Sequence, residues 1–181
     1  AVRQFQSTMM RARYSAVPVV VAPHGLTLGG ACGLSLHADR VVPAAESYIG
    51  LVELGVGLIP GGGGTKEMAL RAADRNIKED IEVNYLQQLY INVGTAKVST
   101  SAHEAFDNFI LRKGYDNISI NPDRRITDAK RKVLQMHELG YTQPAPLNDI
   151  KVQGRGGLGG LMAGLHGMWR GNYVTDHDKL V

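Results

Sequence analysis

Two glycine-rich loops constrain this chain more than any other feature. "HGLTLGGACG" (24–33) follows the valine-rich "PVVVAP" (18–23), and "GLVELGVGLIPGGGG" (50–64) precedes "TKEMALRAA" (65–73). "PVVVAP" reads as a buried strand bounded by prolines, and both loops run into helical patterns. At such a junction the first N–H groups of the helix lack an intrahelical acceptor, and the helix dipole adds partial positive charge. A place of this kind stabilises a developing oxyanion.

Within "LGGACGLSLHAD" (28–39) a third glycine, Gly33, stands early in the expected short helix, although Gly29 and Gly30 already supply the turn. Glycine there costs about 1 kcal/mol against alanine, so the position asks what residue would suit it. The second loop carries a carboxylate, Glu53, seven residues before Pro60 in an otherwise apolar run. Such a glutamate is poorly solvated with a raised pKa, or paired, or exposed on a strand edge. A raised pKa would suit proton transfer near neutral pH.

Along the chain, helices are expected from Arg3 to Ser15, after the 24–33 loop, through "TKEMALRAA" and from Lys78 to Tyr90. Ser101 and Glu104 form a capping-box pattern for a helix through Arg112, with Gly114 as its stop. "NPDRRITDAKRKVLQMHELG" gives another helix, ending near Gly140 with a solvated, mixed-charge face. "RVVPA" and "SYIGLV" read as short strands, as does "IKVQ" (150–153) beyond the proline-containing linker "YTQPAPLND". A Gly-rich helix, "GGLGGLMAGLHGMW", follows. Strands cluster in the first third and helices dominate the rest.

Composition narrows the function classes. A net charge of +3, spread along 181 residues, is too weak and diffuse for a nucleic-acid partner. A single cysteine, Cys32, allows no internal disulfide and fits a reducing cytoplasm; it reads as a small buried apolar residue. No apolar run is long enough to span a membrane. The six histidines show no metal-ligand spacing, so no metal is expected, and each reads as a surface or satisfied core residue. "GGGGTK" is no phosphate-binding P-loop, because Thr65 precedes Lys66 instead of following it. Gly154, Gly156 and Gly159 have dinucleotide-loop spacing but lack the following acidic strand, so close helix packing is the expected reason for them. The chain starts without Met in a helical pattern and stops inside a helix opened by the Thr175–Asp178 capping pattern, which reads as an internal fragment.

"PVVVAPHGLTLGGACGLSLHADRVVPAAESYIGLVELGVGLIPGGGGT" (18–65) resembles the signature of the enoyl-CoA hydratase/isomerase (crotonase) superfamily, with the glycine pair, Asp39, Glu53 and "IPGGGGT" in order. The later segments resemble the crotonase part of bacterial fused 3-hydroxyacyl-CoA dehydrogenase/enoyl-CoA hydratases. The resemblance implies an α/β fold, a crotonase-like spiral of ββα units that is partial at its N-terminal side, with a helical C-terminal region. It implies a partial core over residues 1–140, then a linker and truncated helical segment over 141–181.

By the same resemblance, the Gly30 N–H is one of two donors to a thioester oxygen as it becomes enolate-like. Glu53 is an acid/base, the Gly61 N–H helps hold water, and Gly29 and Pro60 adjoin substrate or water. The second glutamate of the hydratases falls at Gly33, which carries no carboxylate. The implied activity is that of a fatty-acid β-oxidation enzyme acting on acyl-CoA thioesters. Alternatives are a Δ3,Δ2-enoyl-CoA isomerase using Glu53 alone and a non-catalytic acyl-CoA-binding or assembly domain. The resemblance implies no cofactor within these residues beyond the coenzyme A of the substrate, NAD in an upstream dehydrogenase domain, and a homo-oligomer. The isolated fragment is expected to be inactive.

Overall fold

The computed structural model describes residues 1–75 and 83–181. An amphipathic helix, α1 (Val2–Arg13), leads into two short strands, β1 (Val20–Val21) and β2 (Leu26–Leu28). Helix α2 (Gly30–His37) follows, then β3 (Arg40–Val41) and β4 (Tyr48–Gly50). β1 pairs in parallel with β3, Val20 opposite Arg40, and β2 pairs in parallel with β4, Thr27 opposite Ile49. One ββα turn of the chain is therefore laid on the next. A third layer continues the stacking through a parallel bridge between Ala44 and Ser119, while Ser99 bridges Ile49 in the antiparallel sense.

"PVVVAP" supplies less strand than its composition predicts. Proline lacks an N–H at each end of the run, and pairing with β3 is limited to Val20 and Val21, both half-buried. The strand at Leu26–Leu28 is not predicted from the sequence: three residues between glycines are too few to read, and the strand buries Thr27 while Leu26 is exposed.

A 3-10 turn over Glu53–Val56 connects β4 to α3 (Gly64–Arg75). α4 spans Val83–Gly94, so the predicted start at Lys78 lies outside the described residues and its end runs past Tyr90. α5 (Ala102–Asp107) stops well short of Arg112, because Phe109 turns to a positive φ of 62°. That turn drives Ile110 and Leu111 into the core beside Cys32, Leu36, Ile49 and Leu89.

α6 (Arg125–Glu138) ends at Gly140, φ 79°, as the glycine predicts. Its Ile126 and Leu134 are exposed beside its charged residues. Residues 141–153 carry no regular structure, and "IKVQ" is not a strand. A strand exists by pairing, and Ile150 and Val152 lie on the surface instead.

α7 (Gly154–Arg170) and α8 (Asp176–Leu180) close the chain, with both halves of the Thr175–Asp178 capping box formed. Gly154, Gly156 and Gly159 do not serve close packing as expected: among the described residues nothing lies within 4 Å of a Cβ placed at any of them. No described helix is long and apolar enough to cross a membrane.

Candidate active site

The first loop enters α2 through Gly29, whose φ of 53° and ψ of −119° suit glycine alone. Its N–H donates to the Gly50 carbonyl of β4 at 2.9 Å, and its own carbonyl accepts the first helical bond, from the Gly33 N–H at 2.8 Å. The N–H groups of Gly30, Ala31 and Cys32 precede that bond and have no intrahelical acceptor. Gly30 is exposed, so the positive end of α2 opens to solvent.

The second loop brings Glu53 to this place. Its Oε1 lies 3.4 Å from where a Cβ on Gly29 would stand, and its Oε2 is sealed from solvent with no hydrogen-bond partner among the described residues. Glu53 opens the 3-10 turn, its backbone carbonyl accepts from Leu58 at 3.0 Å, and it is half-buried. Of the three readings left open for it, the strand edge is thus not the one observed. A carboxylate at a helix start is electrostatically favoured, and here it adjoins N–H groups free to take a developing negative charge. Among the described residues no metal-binding cluster forms.

The remaining predicted positions lie on α2 and on the loop that precedes α3. Gly33 is one helical turn beyond Gly29, buried, in ordinary helical conformation, and among the described residues nothing lies within 4 Å of a Cβ built on it. Pro60 is buried, and the carbonyl of Gly61 accepts from Gln6 Nε2 of α1 at 2.7 Å. Phe5 of α1 explains two glycines at once: its Cζ stands 3.0 Å from a Cβ on Gly30, and its ring overlaps one on Gly62. An apolar groove of about 480 Å³ starts at Leu54, Ile59 and Pro60 of the Glu53 loop and continues between α4 and α7.

Cys32 is fully buried, and burial pushes its thiol up to about 12, with Arg71 opposing and Glu53 adding to the rise. It is inert at neutral pH. The local sequence could not reveal the network behind the glycine loop, where buried His37 and Glu67 meet Arg13 and Lys66. A histidine at the end of a short helix gives no such signal by itself.

The model of the enoyl-CoA hydratase/isomerase family matches residues 2–83. Over those residues, a little under half of its length, the chain is similar to the enoyl-CoA hydratase/isomerase, or crotonase, superfamily. It is 41% identical to the "Probable 3-hydroxyacyl-CoA dehydrogenase" of Bacillus subtilis over 177 residues, 98% of this chain and 22% of that relative. It is 32% identical to the crotonyl-CoA hydratase of Syntrophomonas wolfei over 63% of this chain and 37% of that one. The chain therefore spans about a fifth to two fifths of the length of these relatives. The solved enoyl-CoA hydratase of Bacillus anthracis superposes with a TM-score of 0.59 over 75% of this chain and 46% of its own, at 23% identity. The stacked ββα turns are thus those of the crotonase fold.

Proposed function

We propose that this chain forms the acyl-CoA site of an enoyl-CoA hydratase/isomerase-type enzyme of fatty-acid β-oxidation, moving protons α to a thioester through an enolate-like intermediate. The observation that carries the reading is the Glu53 carboxylate against Gly29 at the open start of α2. In this reading the Gly30 N–H donates to the thioester oxygen as its charge grows. Glu53 moves the proton. Gly29, Pro60 and the Gly61 N–H adjoin substrate or water, and the groove beginning at Leu54 and Pro60 takes the acyl chain.

The chemistry is acid–base, so coenzyme A enters as part of the substrate. NAD would serve a dehydrogenase part of the same polypeptide, a reading supported by the name of the Bacillus subtilis relative. Residues 1–140 are read as the core of the hydratase/isomerase part and 141–181 as a linker and helical segment. The working protein is read as a cytoplasmic homo-oligomer.

Gly33 decides which step survives. Removing a positioned acid/base group costs about 10²–10⁴ in rate, or about 3–5 kcal/mol of barrier. Hydration through two carboxylates would be impaired, whereas Δ3,Δ2-isomerisation with Glu53 alone would persist, and the bare Gly33 favours this second reading.

Both are tested by assaying 2-enoyl-CoA and 3-enoyl-CoA with the full-length protein. Gly33→Glu is expected to raise hydration at least about tenfold, and Glu53→Gln to abolish both reactions. Hydration unchanged by Gly33→Glu would remove that position from the reaction. Acyl-CoA binding without turnover, indifferent to Glu53→Gln, would replace the enzyme with a non-catalytic binding domain.

A further inference from the structure

We propose that His37 is a positioning residue: in its neutral, Nδ1-protonated form it holds the second glycine loop against the start of α2. The functional importance of that contact rests on the reading of the two loops as one site, but the contact itself does not.

His37 is 1% exposed. Its Nδ1 lies 2.7 Å from the Gly33 carbonyl, which can only accept, so Nδ1 carries the proton. Nε2 is left with a lone pair and, among the described residues, no hydrogen-bond partner. Facing it at 3.5 Å is Oε1 of Glu67, a second acceptor. Glu67 is paired with Lys66 Nζ at 2.6 Å and Arg13 Nη1 at 3.1 Å. The same imidazole edge rests on the glycine loop: Cε1 and Nε2 are 3.3 Å from where a Cβ on Gly63 would stand. One ring therefore touches the carbonyl of Gly33, a glycine two residues past Gly61, and the buried carboxylate of α3.

Every charged neighbour bears on this balance. α1 contributes Arg13, and α3 contributes Lys66 and Glu67. On the other side is a cleft lined by Tyr14, Asp39, Arg40 and Arg112. There Asp39 is bonded to the Val19 N–H and the Tyr141 hydroxyl, and Arg112 is paired with Asp116.

Burial lowers the His37 pKa, the Gly33 carbonyl and Glu67 draw it back up, and Lys66 and Arg13 lower it further. Because two cations already balance Glu67, its pull on a second proton is weak. When that proton arrives, Nε2 becomes a donor, competes with Lys66 for Oε1, and draws the ring away from Gly63.

The test is a pH series of ¹⁵N spectra of the chain, ring nitrogens and amides together, from about pH 8 to about pH 5. The expected result is the Nδ1–H tautomer at neutral pH, with one midpoint below the ordinary 6.5 shared by the His37 ring and the amides of Gly33 and Gly63. His37→Asn keeps a donor toward Gly33 but cannot titrate, so those amides should become flat. Glu67→Gln replaces the facing acceptor by a donor and should lower the midpoint further, which serves if His37→Asn does not fold.

An Nε2–H tautomer, loop amides that still titrate in His37→Asn, or a midpoint indifferent to Glu67→Gln would overturn the proposal. Acetoacetyl-CoA affinity followed in the same samples should fall about fivefold or more through the same midpoint. No affinity of the full-length protein at any pH, with ring and amides behaving as stated, would sink the acyl-CoA reading and leave the His37 contact standing.

Discussion

At the residue scale, glycines in these loops are present for different physical reasons, and substitution separates them. Gly29 needs its positive φ, and Gly62 needs its bare Cα because Phe5 occupies the space. Gly33 has neither requirement. Its backbone is helical and the space before it is open, so Gly33→Ala should stabilise the fold by about 0.5–1 kcal/mol. Urea denaturation reads this directly, and a loss of stability would mean that the space is not there. Gly62→Ala should cost about 1–3 kcal/mol by overpacking. Phe5→Leu should recover part of that loss in the double variant, because the ring it removes is the group in the way.

At the element scale, helix ends are set partly by capping and partly by what lies beyond them. Ser101 Oγ accepts the Glu104 N–H at 3.1 Å, while the Glu104 carboxylate reaches back one residue further than expected, to Thr100. Ser101→Ala should cost about 1 kcal/mol, seen as a lowered urea midpoint. The same helix ends early because the core claims Ile110 and Leu111, and buried Arg71 holds the Phe109 and Ile110 carboxyl-side carbonyls along with that of Leu36.

The segment after it is tied down by Asp116, whose side chain is fully buried. It accepts from the Val41 N–H at 2.8 Å and the Arg112 N–H at 2.7 Å, and pairs with the Arg112 guanidinium. Asp116→Ala leaves these donors unpaired and should cost about 3–5 kcal/mol, a large drop in thermal midpoint.

At the scale of the whole molecule, Tyr141 and His37 join parts of the chain far apart in sequence. The Tyr141 hydroxyl donates to Asp39 and also meets the Ser15 carbonyl, both at 3.1 Å, so the chain after α6 is pinned to the end of α1. Burial, then the Asp39 charge, pushes that hydroxyl up to about 12, which keeps it a donor at ordinary pH. His37 makes stability depend on pH. Its folded pKa lies below 6.5, so the unfolded chain takes a proton first. Its contribution is fully present above 6.5 and is lost as pH falls through the folded value. The urea midpoint should therefore drop as pH falls below 6.5, less so in His37→Asn; an equal drop in both would assign the effect elsewhere. Glu104 and Asp178, whose pKa values are lowered by bonds from Thr100 and Thr175, contribute above their ordinary carboxylate range and lose that contribution only as pH falls below it.

Local chemistry made much of this legible in the sequence alone. The glycine-to-helix junctions, the placement of Glu53 and Gly33 on them, the Thr175–Asp178 cap and the stop at Gly140 all depend on residues a few positions apart. The contact between Glu53 and Gly29, the Phe5 ring against two glycine loops, and the shared carboxylate of Arg13, Lys66 and His37 depend on separations that no short window samples. So do the short strand at Leu26–Leu28 and the lack of one at "IKVQ", because a strand is defined by its partner. Sequence decided which groups could do chemistry; only the stacking of one ββα turn on the next decided which of them meet.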